Sequence, residues 1–117
     1  MAVELGVAVE FARWFEWLSA ADPVAARELV AAVDEYAAQV EMEHRVAFDM
    51  CSSPSGQLAF VAAHAGGEVF LASGAEVVGS PRRTMLLVSR ARTVVRRMRQ
   101  DRVELLRWAE VRRSLRA

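Results

Sequence analysis

At 117 residues the chain suits one domain, able to bury roughly two thirds of the surface its unfolded form exposes, and its 54% hydrophobic content supports a core. No stretch approaches the ~18 apolar residues of a membrane span, Glu4 and Glu10 interrupt what would be a signal sequence, and the single Cys51 allows neither an internal disulfide nor a paired-thiol metal site, so a cytoplasmic protein without membrane contact is expected. The net charge of zero conceals a division: residues 1–79 carry twelve acids and three arginines, whereas residues 80–117 carry twelve arginines and three acids, an asymmetry that points to a nucleic-acid or protein partner.

"AVEL" is β-branched in part and ends at Gly6, which predicts a brief first strand. Val7, Phe11, Trp14 and Leu18 then recur at helical spacing with Phe15 beside them, so the first helix buries that stripe. Trp14 belongs to the buried stripe, and Trp17 is the aromatic that points off it, a candidate stacking or contact residue. Asp22 followed by Pro23 reads as an N-cap with proline at the first helical position. The second helix places Leu29, Ala32, Val33, Tyr36 and Val40 inward.

Past His44 the period shortens toward two. "RVAFDMC" alternates Val46, Phe48 and Met50 with Arg45, Ala47 and Asp49, and "SSPSG" ends the strand. "QLAFVAAHA" and "EVFLASGAEVV" flank Gly66-Gly67, a pair suited to a tight hairpin. After a "GSP" turn, "RRTMLLVS" predicts one more short strand, and Ser89 caps a long final helix whose apolar stripe runs through Val95, Met98, Leu105 and Ala109. Helix is therefore expected over residues 8–43 and mostly antiparallel strand over 45–88. The sum is a single-domain α+β fold over residues 1–117, an N-terminal helical hairpin on a three- to four-stranded antiparallel sheet, followed by a long basic C-terminal helix.

No recognised catalytic motif accompanies this layout. The two histidines, His44 and His64, lack metal-ligand spacing, the serines lack a nucleophile elbow, and the glycines form neither a phosphate loop nor a dinucleotide fingerprint, so neither metal nor cofactor is expected. His64 stands beside the Gly-Gly turn, either as an edge-strand residue or as a general acid or base. The arginines carry the strongest signal. Eight lie between Ser80 and Arg102, and Arg82, Arg83, Arg90, Arg92, Arg96, Arg97 and Arg99 present guanidinium forks to phosphates or pair with Glu28, Asp34, Glu35, Glu41 and Glu43 of the second helix.

The order of elements, with Phe11, Trp14, Phe15 and Leu18 in an F-x-x-W-(F/Y)-x-x-L helix, resembles the RelE/ParE-type toxins of bacterial toxin–antitoxin systems. The resemblance makes "SPRRTMLLVS" the final strand of the sheet. It implies a small RNA-binding protein of the ribosome-dependent messenger-RNA endonuclease kind, with Arg83, Arg90 and Arg92 gripping RNA, His64 as proton carrier, and a cognate antitoxin as partner. A second class stands open beside it: a non-enzymatic interaction module or homodimer that uses the apolar helices or the basic helix. The geometry of the arginines separates the two, because catalysis needs them converging with a titratable neighbour and an interaction helix needs them spread along one face.

Overall fold

A computed structural model describes residues 3–77, 80–101 and 104–115. The elements in chain order are β1 (Gly6–Val7), α1 (Val9–Ala21), α2 (Pro23–Gln39), β2 (Ala47–Ser52), β3 (Leu58–Ala65), β4 (Glu68–Glu76), α3 (Pro81–Asp101), β5 (Leu106–Arg107) and α4 (Trp108–Val111), with a 3-10 turn at Arg112–Ser114. The sheet order is β2-β3-β4-β1-β5. β1 runs parallel to β4 and antiparallel to β5, and the other pairings are antiparallel.

β3 dictates the layering. All eight of its residues are buried, so both of its faces need cover. Leu58, Phe60 and Ala62 join Val69 and Leu71 of β4 beneath Phe11, Phe15 and Leu18 of α1 and Leu29 and Val33 of α2. Ala59, Val61, Ala63 and Ala65, with Phe70 and Ala72, pack beneath Leu87, Ala91, Val94 and Val95 of α3. The result is three layers, with the helical hairpin on one face of the sheet and α3 on the other.

The hairpin forms as its sequence requires. Asp22 accepts a hydrogen bond from the Ala25 N–H at 3.1 Å, with Pro23 at the first helical position. Gly66 and Gly67 take φ of 61° and 78° between β3 and β4, a left-handed pair that residues with a Cβ resist. A bulge between Val61 and Ala62 in the β3–β4 register shifts the phase of β4. Beyond it Ser73 turns toward α3 and donates to the Leu87 carbonyl at 2.8 Å, and Gly74 lies under the ring of Trp14.

The α+β class, the hairpin and the three antiparallel strands between residues 47 and 76 match the sequence expectation. Three details differ. "RRTMLLVS" is the first part of α3, which starts at Pro81 rather than at Ser89: the Ser80 hydroxyl accepts from the Arg83 N–H at 3.4 Å, Pro81 follows it, and the apolar spacing extends back from Ala91 to Leu87. The first strand lies at Gly6–Val7, just after "AVEL", whose Ala2 is outside the described residues. The final helix stops at Asp101, so Leu105 and Ala109 do not continue its stripe.

Residues 104–115 instead fold back along the start of the chain. The Trp108 N–H donates to the Leu5 carbonyl at 3.0 Å, its ring packs edge-on to Phe11 and Phe15, and its Nε1 donates to Asp34 at 3.1 Å. Replacing Trp108 with alanine is expected to lower stability by about 3–5 kcal/mol, as for large aromatic truncations in cores. Gly74→Ala should also destabilise, because a Cβ there would stand 2.7 Å from Cε3 of Trp14. The double variant Gly74→Ala/Trp14→Leu should recover part of that loss in urea denaturation, and a fully additive pair would contradict the contact.

Candidate functional site

β1 is two residues long because the chain turns into α1 at Val9, and its last backbone contact with β4 is the Ala8 N–H to the Leu71 carbonyl at 2.9 Å. Beyond that point, among the described residues, the Ala72–Glu76 part of β4 has no strand neighbour on the β1 side. α1 from one face and α3 from the other flank the exposed edge. Arg97 of α3 meets Glu10 of α1 at 2.6 Å and closes one end of the gap.

The resulting cleft has two neighbouring parts that share Trp14 and Arg90 in their walls. Near the closed end, about 240 Å³ is lined by Phe11, Trp14, Ser73, Gly74, Arg90 and Thr93, among others. At the open end, about 320 Å³ is bounded by Trp14, Trp17, Glu76, Arg83, Leu86 and Arg90. Trp17 is 58% exposed, whereas Trp14 is half-buried, its ring edge-on to Phe11 at 5.5 Å between centroids. The Arg83 guanidinium is held at the mouth by a 3.2 Å bond to the Glu76 carbonyl and keeps donors free. Among the described residues neither Arg83 nor Arg90 forms an ion pair with a carboxylate.

Of the residues singled out in the sequence, the structure thus brings together Trp17, Arg83 and Arg90, with Arg97 at the closed end. It separates the others. Arg92 stands two residues from Arg90, which turns it roughly 200° around the helix. It lines a different groove with Arg96 and Arg99 beside β2. Arg82 is exposed in the first turn of α3. The expected pairing of these arginines with the acids at positions 28–43 does not occur, because α2 and α3 cover opposite faces of the sheet. Asp34 is instead taken by Arg112 at 2.9 Å, Glu28 accepts from Ser55, and Glu4 pairs with Arg107.

His64 lies apart from every arginine named above. It is buried in the interior strand β3, not on an edge, and faces α2. Its Nδ1 accepts the Glu43 N–H at 3.1 Å, which places the ring proton on Nε2, and Nε2–H donates to Asp49 Oδ2 at 2.8 Å. Tyr36 donates to the same carboxylate oxygen at 2.6 Å. Both ring nitrogens are therefore engaged, and the cluster ties the loop after α2 to β2 and β3. Burial, reinforced by the hydrogen bond to Asp49 and that group's charge, pushes the Tyr36 phenol well above its usual value. Burial alone would raise the Asp49 pKa, but the hydrogen bonds from His64 and Tyr36 outweigh it and hold the carboxyl below its usual range.

Among the described residues no three metal-ligating side chains of histidine, cysteine or acid type come together, and no helix is long and apolar enough to cross a membrane. Comparisons with protein-family models, with curated proteins and with solved structures each find no match to this chain.

The Asp49 cluster has a direct pH consequence. A carboxyl with a lowered folded pKa stabilises the fold above its unfolded pKa, near 3.8, and that contribution disappears as pH falls through the folded value. Asp49→Asn should therefore be less stable than the wild type at pH 7, with the difference narrowing toward pH 3, read from urea midpoints. Cys51, whose thiol burial and the nearby Asp49 push up to about 11, should react slowly with iodoacetamide at pH 8 in the folded protein and at an ordinary rate once unfolded.

Proposed function

We propose that the protein binds single-stranded RNA through the cleft between α1 and α3. The observation that carries the reading is the convergence of an exposed tryptophan with two arginines that have no carboxylate partner. A nucleotide offers a flat base and an anionic phosphate about one side chain apart. Trp17 supplies a face for stacking, and Arg83 and Arg90 supply planar multi-donor heads for phosphate oxygens. His64 has no part in this, and the proposal is one of binding.

Salt dependence tests the reading. Labelled oligouridine should bind with an affinity that falls steeply with salt, each phosphate contact contributing about −0.7 to the logarithmic slope on a single strand. Arg83→Gln/Arg90→Gln should flatten that slope by about one to one and a half units. Trp17→Ala should leave the slope unchanged and weaken binding by about 1–3 kcal/mol, with little effect on stability because the side chain is exposed. Absence of binding at low salt by the wild-type protein would remove the proposal.

A further inference from the structure

The second arginine surface lies on the far side of α3 and belongs to a different edge. Among the described residues β2 ends the sheet, so one side of Ala47–Ser52 carries no strand of this chain. Its α3-facing residues include Phe48, half-buried against the core, and Met50, which is 41% exposed, and Val46 just before the strand is 43% exposed. Above them Arg92, Arg96 and Arg99, with Val95 and Gln100, complete a groove of about 610 Å³ with Val46 and Phe48. Among the described residues none of these three arginines has a carboxylate partner.

We propose that β2 is a docking edge for an extended acidic segment of another protein, which pairs with the strand while its carboxylates meet Arg92, Arg96 and Arg99. Spacing supports this occupant. The arginines succeed one another every three or four residues, roughly 4.5–6 Å along the helix, and same-face side chains of a strand recur about every 6.6 Å. An added strand with acids at alternate positions therefore keeps step with the row. Main-chain pairing supplies affinity of a kind that any sequence can use, and the guanidiniums select acidic sequences from among them.

The same charges argue against a second copy as the occupant. Two β2 strands paired about a two-fold axis would bring one protomer's three arginines beside its partner's three, a like-charge juxtaposition that disfavours self-pairing. No acid of the chain is among the residues that line the groove, and those of α2 lie across the sheet.

The test uses a fluorescein-labelled peptide of alternating glutamate and valine, seven residues long, and its lysine counterpart. The acidic peptide should bind, more weakly as salt rises, and should slow amide hydrogen exchange within Ala47–Ser52. Arg92→Glu/Arg96→Glu should weaken it by roughly tenfold or more and create affinity for the lysine peptide. Arg92→Gln/Arg96→Gln, a milder pair, should lose the acidic peptide without gaining the basic one, and circular dichroism confirms that each variant is folded. Trp17→Ala should bind the acidic peptide as the wild type does, which separates this edge from the RNA cleft. Four results would overturn the proposal: no binding at low salt, which would leave the arginines as a guard against edge pairing; binding unaffected by charge reversal or without slowed exchange in β2; oligouridine, bound by Trp17→Ala, protecting β2 instead of the peptide; or a dimer in sedimentation whose β2 amides are protected.

Discussion

The architecture depends on the burial of β3 from both sides. An eight-residue strand without an exposed position cannot stand in a two-layer fold, so the chain must supply cover for each face, and α1 with α2 takes one while α3 takes the other. The alanines of this strand and of β4 keep the layers close: Ala59, Ala63 and Ala72 face α3, and Ala62 faces the hairpin. Protection is generous at the centre of the sheet and thin at its margins. Both candidate surfaces lie at those margins, where β1 stops short beside β4 and where β2 has no outer neighbour.

The division of charge along the sequence becomes a division in space. The acidic hairpin and the arginine-rich α3 lie on opposite sides of the sheet, and the ion pairs that do form involve Arg97, Arg107 and Arg112 rather than the rows that line the cleft and the groove. These are exposed pairs, each worth little to stability. A neutral chain thus retains local positive character at two places, because among the described residues Arg83, Arg90, Arg92, Arg96 and Arg99 form no ion pair with a carboxylate.

Much of this was legible where local rules decide. The Asp22-Pro23 start of α2, the stripe of Phe11, Phe15 and Leu18, and the Gly66-Gly67 hairpin follow from capping, periodicity and backbone freedom, each of which acts over a few residues. Ser80-Pro81 carries the same start signal as Asp22-Pro23, yet "TMLLV" is apolar and β-branched enough to read as a strand, and the signal went unused. Read as a strand, the segment has Arg83 near its start and Arg90 and Arg92 together at its exit, whereas the helix turns Arg90 and Arg92 to different sides. Trp17, Arg83 and Arg90 were nominated individually, but their meeting depends on β1 ending at Val7, and Trp14 and Glu76 as cleft walls depend on it too. His64 shows the opposite limit: its neighbours in sequence are apolar, and its hydrogen-bonding partners come from residues 15 to 28 positions away.

The return of Trp108 to the first helix has a consequence for the order in which the molecule can be made. Its ring fills space against Phe11 and Phe15, residues translated almost a hundred codons earlier, and the adjoining strand pairs with Gly6 and Val7. While the chain is still threading out of the ribosome, the hairpin and the three-stranded meander can assemble, but the floor beneath α1 has a gap the size of an indole. The nascent protein must hold that apolar surface open to water, or to a chaperone, until Trp108 itself has left the ribosome, so the core closes only after the hairpin and the meander are already out.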